Sequence, residues 1–249
     1  MSDILVTTGI TRRFGAVVAA EGIDVRVAEG SMVGMIGPNG AGKTTFLNIV
    51  TGYIKPAQGT VEFRGRDITG LPPREIASLG LTRSFQIAQL FGTLTVIENV
   101  LIALGVATGR AQSWWHPLHD RAAVAEAGEL LHRFTLDHLA GQRVDTLPQG
   151  ARKLLDITLA MVRKPGLLLL DEPTSGVSAE EKFDVFDILV RVLRAEGTTA
   201  LFIEHDMEMV ARYADRVLAL ADGKVIARGA PKDVLGDAEV RRLVIGVED

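Results

Sequence analysis

Ile23-Asp24-Val25-Arg26-Val27 alternates apolar and charged residues, a pattern that predicts a strand with one buried and one exposed face. Glu29-Gly30 reads as a turn. Met32-Val33-Gly34-Met35-Ile36 then runs apolar without a break, as expected of a strand buried on both faces. Val61-Glu62-Phe63-Arg64 alternates again before Gly65, so an antiparallel β layer is expected within the first sixty-odd residues. Pro72-Pro73 introduces a short helix, Arg74 to Ser78. From Val96 to Leu139 the period turns helical, and Ala122 to Phe134 is rich in Ala, Glu and Leu. The aperiodic stretch Gly109 to Pro117, with Trp114-Trp115, reads as a loop between helices.

Strand signals return at Leu167 to Leu170, which runs into Asp171-Glu172, and at Thr199 to Ile203, which runs into Glu204-His205. Between them Phe183, Phe186, Leu189, Val190 and Leu193 recur at helical spacing over Lys182 to Arg194. Strand, helix and strand of these lengths predict a βαβ unit and hence a parallel sheet. Arg216 to Leu220, Asp222-Gly223 and Lys224 to Ala227 predict a hairpin with an Asp-Gly turn. Short helices are expected at Pro231 to Leu235 and Ala238 to Leu243.

One stretch carries chemistry by itself. Gly37-Pro38-Asn39-Gly40-Ala41-Gly42-Lys43-Thr44-Thr45 follows a buried strand, precedes a helical run, and matches the phosphate-binding loop pattern of Gly, four residues, Gly-Lys and Ser or Thr. The glycines let the backbone curl so that successive N–H groups converge on phosphate oxygens. Lys43 supplies a point charge, the Thr44 hydroxyl is suited to Mg2+, and the helix N-terminus adds its dipole. Asp171 ends an all-leucine strand, where ligands of open parallel sheets bind. Asp171 is the candidate for the metal. Glu172 is the candidate to polarise a water aimed at a γ-phosphate. His205 should open on the same sheet edge and orient that water, and the side-chain oxygen of Gln86 can reach the metal or the water.

Composition narrows the class. The chain has 249 residues, with 27 Lys+Arg against 31 Asp+Glu and a net charge of −4, so there is no electrostatic case for nucleic-acid binding. The absence of cysteine excludes disulfides and thiol metal sites and suits the cytoplasm. Met1-Ser2-Asp3-Ile4 has no signal-peptide character, and no apolar run reaches the roughly 18 residues of a membrane span. His116 and His119 read as solvated loop residues.

With these residues assembled, the chain resembles the ATPase subunits of ATP-binding-cassette transporters over essentially its whole length. Arg83-Ser84-Phe85-Gln86, Leu90-Phe91, Val96 to Val100 and the tail Glu239 to Gly246 are similar to the branched-chain amino acid importers, and the Trp114-Trp115 linker to the larger of their two ATPase subunits. The resemblance implies an α/β P-loop NTPase core, mostly parallel sheet flanked by helices, with an N-terminal antiparallel β layer and an α-helical subdomain. It implies one nucleotide-binding domain over residues 1–249, with its core at about 1–86 and 162–249 and the helical part at about 87–161. Its cofactors would be ATP and Mg2+, the metal held by Thr44, Gln86 and Asp171, with Glu172, His205 and Lys43 catalytic. Phe14 would stack on adenine, and residues after Gln86 would receive a helix of a membrane subunit.

The family signature corresponds to Leu147-Pro148-Gln149-Gly150-Ala151, is followed by a helix expected over Arg152 to Met161, and completes the partner's site. It departs from the family pattern at Pro148, which lacks the hydroxyl donor, and at Ala151, which lacks the polar side chain; Ser178 stands where many members have Asp. The implied partners are a second ATPase subunit in a heterodimer (a homodimer being the alternative), two membrane-spanning permease subunits and, indirectly, a solute-binding protein. The implied place is the cytoplasmic face of the membrane, peripherally. The rival functions are the ATPase of a lipid or lipopolysaccharide exporter, and a weakly hydrolysing nucleotide-gated module.

Overall fold

Residues 2–84, 90–109 and 120–246 are described by the structure, a computed structural model. The chain divides into two compact units. The first comprises Met1–Arg83, Gly166–Glu172 and Gly197–Asp249. The second comprises Ser84–Pro165 and Pro173–Glu196.

In chain order, β1 (Asp3–Phe14), β2 (Val17–Ala28) and β3 (Met32–Ile36) precede α1 (Lys43–Val50), β4 (Gln58–Phe63), β5 (Arg66–Asp67), α2 (Pro73–Ser78) and β6 (Leu81–Ser84). The helices α3 (Val96–Ala107), α4 (Arg121–Arg133) and α5 (Gln149–Met161) follow. Then come β7 (Leu167–Asp171), α6 (Glu181–Ala195), β8 (Thr199–Ile203), α7 (Met207–Tyr213), β9 (Arg216–Ala221), β10 (Lys224–Gly229) and α8 (Pro231–Gly236).

The first unit holds two sheets. One has the order β2-β1-β4-β5 and is antiparallel throughout. The alternation at Ile23 to Val27 is realised in β2, where Ile23, Val25 and Val27 are buried while Asp24 and Arg26 are exposed. The other has the order β10-β9-β3-β8-β7-β6. Strand β3 runs parallel to both β8 and β9, β7 is parallel to β8, and β10 is an antiparallel addition. All five residues of β3, β7 and β8 are buried, as their unbroken apolar runs require. Phe46, Leu47, Ile49 and Val50 of α1 enter one apolar core with Ile10 and Phe63 of the first sheet and Leu169, Leu201 and Leu220 of the second. Full burial of such side chains contributes about 1.5–3 kcal/mol each. The predicted hairpin forms between β9 and β10, with Asp222 at φ 48° and Gly223 at φ 76°, the paired left-handed geometry that an Asp-Gly turn supplies.

The second unit is helical. Thr95 Oγ1 accepts from Glu98 N (3.4 Å) while Glu98 Oε2 accepts from Thr95 N (2.7 Å), a capping box that starts α3. Asp120 caps α4 by accepting from Ala123 N at 2.7 Å. The buried faces of α5 (Leu154, Leu155, Ile157, Met161) and α6 (Val185, Phe186, Leu189, Leu193) supply much of its core.

Several features differ from expectation. Helix α7 was not expected; Asp206 starts it by accepting from Glu208 N (2.9 Å) and Met209 N (3.4 Å). Helix α5 begins at Gln149, three residues ahead of Arg152. The tail forms two short pieces, Ala238–Val240 and a π-helical turn over Arg241–Ile245. Among the described residues no helix is long and apolar enough to cross a membrane. Gln86, Trp114, Trp115, His116 and His119 lie outside the described residues.

Candidate functional site

The loop between β3 and α1 is braced by backbone from distant parts of the first unit. Gly223 N donates to Ala41 O at 3.2 Å, and Glu21 N donates to Gly223 O at 2.8 Å. A Cβ on Gly37 would stand 2.4 Å from Leu220 O, and one on Gly42 would stand 2.3 Å from Ala19 O. Side chains are therefore excluded at both positions. Lys43 is buried, and its ammonium donates to the carbonyls of Gly37 (2.6 Å) and Pro38 (3.0 Å). Burial lowers its pKa from the ordinary lysine value, and the charges of Glu172 and then Asp171 oppose that shift.

The parallel register brings the carboxylates to this loop. Asp171 closes β7 opposite Ile203 of β8 and is 4% exposed. Its Oδ2 accepts from Arg83 Nη2 at 2.5 Å, and Arg83 Nη1 donates to Asn48 Oδ1 of α1 at 2.6 Å. Glu172 has φ 51°, a left-handed conformation that costs a non-glycine residue on the order of 1–3 kcal/mol and is retained where the surroundings enforce it. The bond from Glu172 N to Ile203 O (3.1 Å) is one such restraint. Glu172 Oε1 lies 3.1 Å from His205 Nε2. Asn39 to Thr45, Asp171, Glu172, Ile203 and His205, with Val17 and Ala19, line one cleft of about 200 Å3.

This arrangement offers a glycine-rich loop at the N-terminus of α1, one ammonium, the hydroxyl of exposed Thr44 and two carboxylates of different surroundings. It suits a polyphosphate accompanied by a hard cation. Among the described residues no group of three or more His, Asp or Glu is placed to hold a metal unaided, so a cation here needs ligand oxygens as well. Phe14 ends β1 opposite Val17, is 45% exposed, and carries the Arg12 guanidinium 5.1 Å from its ring centroid.

The signature residues belong to the second unit. Leu147 is buried, Pro148 stands at the N-cap of α5 without a side-chain cap bond, and Gln149 opens the helix. Gly150 is close-packed: a Cβ there would meet Val185 Cγ2 at 3.0 Å. Ala151 is half-buried, and no acidic residue lies in the first turn. A larger cleft of this unit, about 430 Å3, is lined by His132, Arg133, Arg191 and Glu196. Its Arg133 is already paired with Glu129 and Glu196, so it offers no comparable constellation.

Asn48 was not singled out from the sequence, and Arg83 was quoted only within the segment Arg83 to Gln86, with no role of its own. No local pattern announces them, because the partner of Arg83 lies 88 positions away.

Comparison with known proteins finds relatives along nearly the whole chain. A family model described as ABC transporter matches residues 20–175. A high-affinity branched-chain amino acid transport ATP-binding protein LivG of Salmonella typhimurium is 35% identical, with 98% of each chain covered. A probable LivG of Archaeoglobus fulgidus is 36% identical, covering 99% of this chain and 96% of its own. The ADP conformation of an ATP-binding cassette of an ABC transporter superposes with a TM-score of 0.87 at 33% identity, covering 99% and 100%. A nucleotide-free cassette gives 0.86 at 32% identity, with both chains fully covered.

Proposed function

The chain belongs to the ABC transporter family, and on that premise we propose that it is the ATP-hydrolysing subunit of an importer for branched-chain amino acids or related small solutes. The observation that carries this reading is the cleft that joins the phosphate loop to the Glu172–His205 pair at 3.1 Å. The kinship with branched-chain transport proteins over nearly the whole chain supports the choice of solute.

In this reading the N–H groups of Gly40 to Thr44 and the Lys43 ammonium hold the β- and γ-phosphates, and Phe14 offers its exposed face to adenine. Thr44 and Asp171, with Gln86, would hold Mg2+, which supplies neutralisation of phosphate charge when bound. Glu172 Oε1 or Oε2 accepts a hydrogen bond from the attacking water and orients it. His205 Nε2 holds the Glu172 carboxylate in place and so helps orient that water. Water attacks phosphorus, the bond to the ADP oxygen breaks, and inorganic phosphate leaves.

The signature at Leu147 to Ala151 serves a second ATPase subunit, and the pair works on two permease subunits at the cytoplasmic face of a membrane, supplied by a solute-binding protein. Pro148 and Ala151 favour a heterodimer in which this chain keeps the working loop and meets a fuller signature. No nucleic acid takes part. The test is Glu172→Gln together with co-purification from membranes. Hydrolysis should fall at least about 100-fold while ATP binding persists, and two membrane proteins should co-elute with the native chain. Hydrolysis unchanged in the variant, or recovery with ribosomes, would defeat the reading.

A further inference from the structure

We propose that Arg83 is a positioning residue that sets the spacing between the two metal-facing groups of the site, Thr44 and Asp171; this rests on the ATPase reading above. A single guanidinium bonds both supports. Its Nη2 arm donates to Asp171 Oδ2 at 2.5 Å, and its Nη1 arm donates to Asn48 Oδ1 at 2.6 Å. Asn48 lies four residues after Thr44 in α1, hence on the same helix face one turn further along. The guanidinium is planar, and its two terminal nitrogens stand in a fixed fork. A rigid bracket therefore spans from the helix carrying Thr44 to the strand end carrying Asp171.

Burial shows that this bracket is not a surface ornament. The side chains of Arg83 and Asp171 are 9% and 4% exposed. A buried ion pair is weak as a source of stability, because desolvation offsets its attraction, so its geometry is the more durable gain. Arg83 Nε is buried without a partner, so hydrogen bonding is not maximised here. The two terminal nitrogens have partners at the cost of the third. The pair also engages only one oxygen of Asp171 and leaves Oδ1 for another ligand. Fixing a metal-facing carboxylate through a bonded neighbour is the way outer groups tune metal affinity.

The experiment uses the full chain with a fluorescent ATP analogue, first in EDTA and then through a Mg2+ titration, for the native protein, Arg83→Lys and Asn48→Ala. Arg83→Lys keeps the charge but loses the fork. Asn48→Ala keeps the ion pair and removes only the arm to α1, so it reports even if the first variant fails to fold. We expect metal-free nucleotide binding within about twofold of native, and a Mg2+ midpoint raised about 10-fold or more in each folded variant. Hydrolysis lost at low Mg2+ should return as Mg2+ is raised. Unchanged midpoints in the folded variants overturn the assignment and leave a structural pair. Lowered midpoints also overturn it, since they mean that Arg83 competes with the cation. A native chain that binds no nucleotide overturns the ATPase reading, and this assignment with it.

Discussion

Asp156 carries a charge problem that α5 does not solve. Burial raises its pKa to about 6, opposed in part by the charge of Lys153. The folded chain thus holds this proton more tightly than the unfolded chain does. Its contribution to stability is present in full below the ordinary value of 3.8 and is lost as pH rises through about 6. The two-odd pH units between these values correspond to no more than about 3 kcal/mol at neutral pH. Asp156→Asn should therefore unfold at a higher urea concentration than the native chain at pH 7, with the difference shrinking as pH falls toward 4. Equal midpoints across that range would contradict this account. By contrast, Lys43 is shifted down by burial but faces Glu172 and Asp171, so the working site balances its buried charge among its own members.

At the scale of elements, the phosphate loop makes the sharpest demand. Gly42 has φ +98° and no room for a Cβ beside Ala19 O. Gly42→Ala should abolish ATP binding and lower stability by at least about 1–2 kcal/mol, measured by nucleotide titration and urea unfolding. Binding at native affinity would show that the brace is slack. The loop was legible because its chemistry is written in nine adjacent residues. Strands β2, β3, β7 and β8 were legible because their burial repeats locally, every second residue or at every residue. Helix α7 was not, since its start signal, Asp206, directly follows His205 and is followed by only seven helical residues. Strand β6 was hidden for another reason. Four residues with Thr82 and Arg83 at the centre show no apolar period, and the largely buried side chain of Arg83 is accommodated by Asp171 and Asn48. That pairing depends on strand order, which no local stretch records.

For the whole molecule, the altered signature yields a prediction about assembly. Helix α5 begins at Gln149, after an N-cap Pro148 that offers no capping side chain, and has no acidic first turn, so its N-terminal N–H groups keep their pull on an anion. The side-chain donors at 148 and 151 are absent. A charge-assisted hydrogen bond contributes about 1.5–3 kcal/mol, so a partner's site completed by this signature should be slowed measurably. The chain alone should hydrolyse ATP slowly, and adding a second ATPase subunit with a full signature should raise turnover at the site built on Lys43. Fast cooperative hydrolysis by the chain alone would argue for a competent homodimer instead.

The order of the larger sheet places β3 between β8 and β9. The strand that delivers the phosphate loop therefore has no neighbour in its sheet until residues 199–221 exist. Gly223, which bonds Ala41, arrives later still. During synthesis the loop's nine residues emerge before any strand that pairs with β3, and contacts between residues so far apart in sequence form slowly. The braced form of the loop therefore requires the centre of the sheet to be in place, so that its geometry reports on the assembly of strands far along the chain.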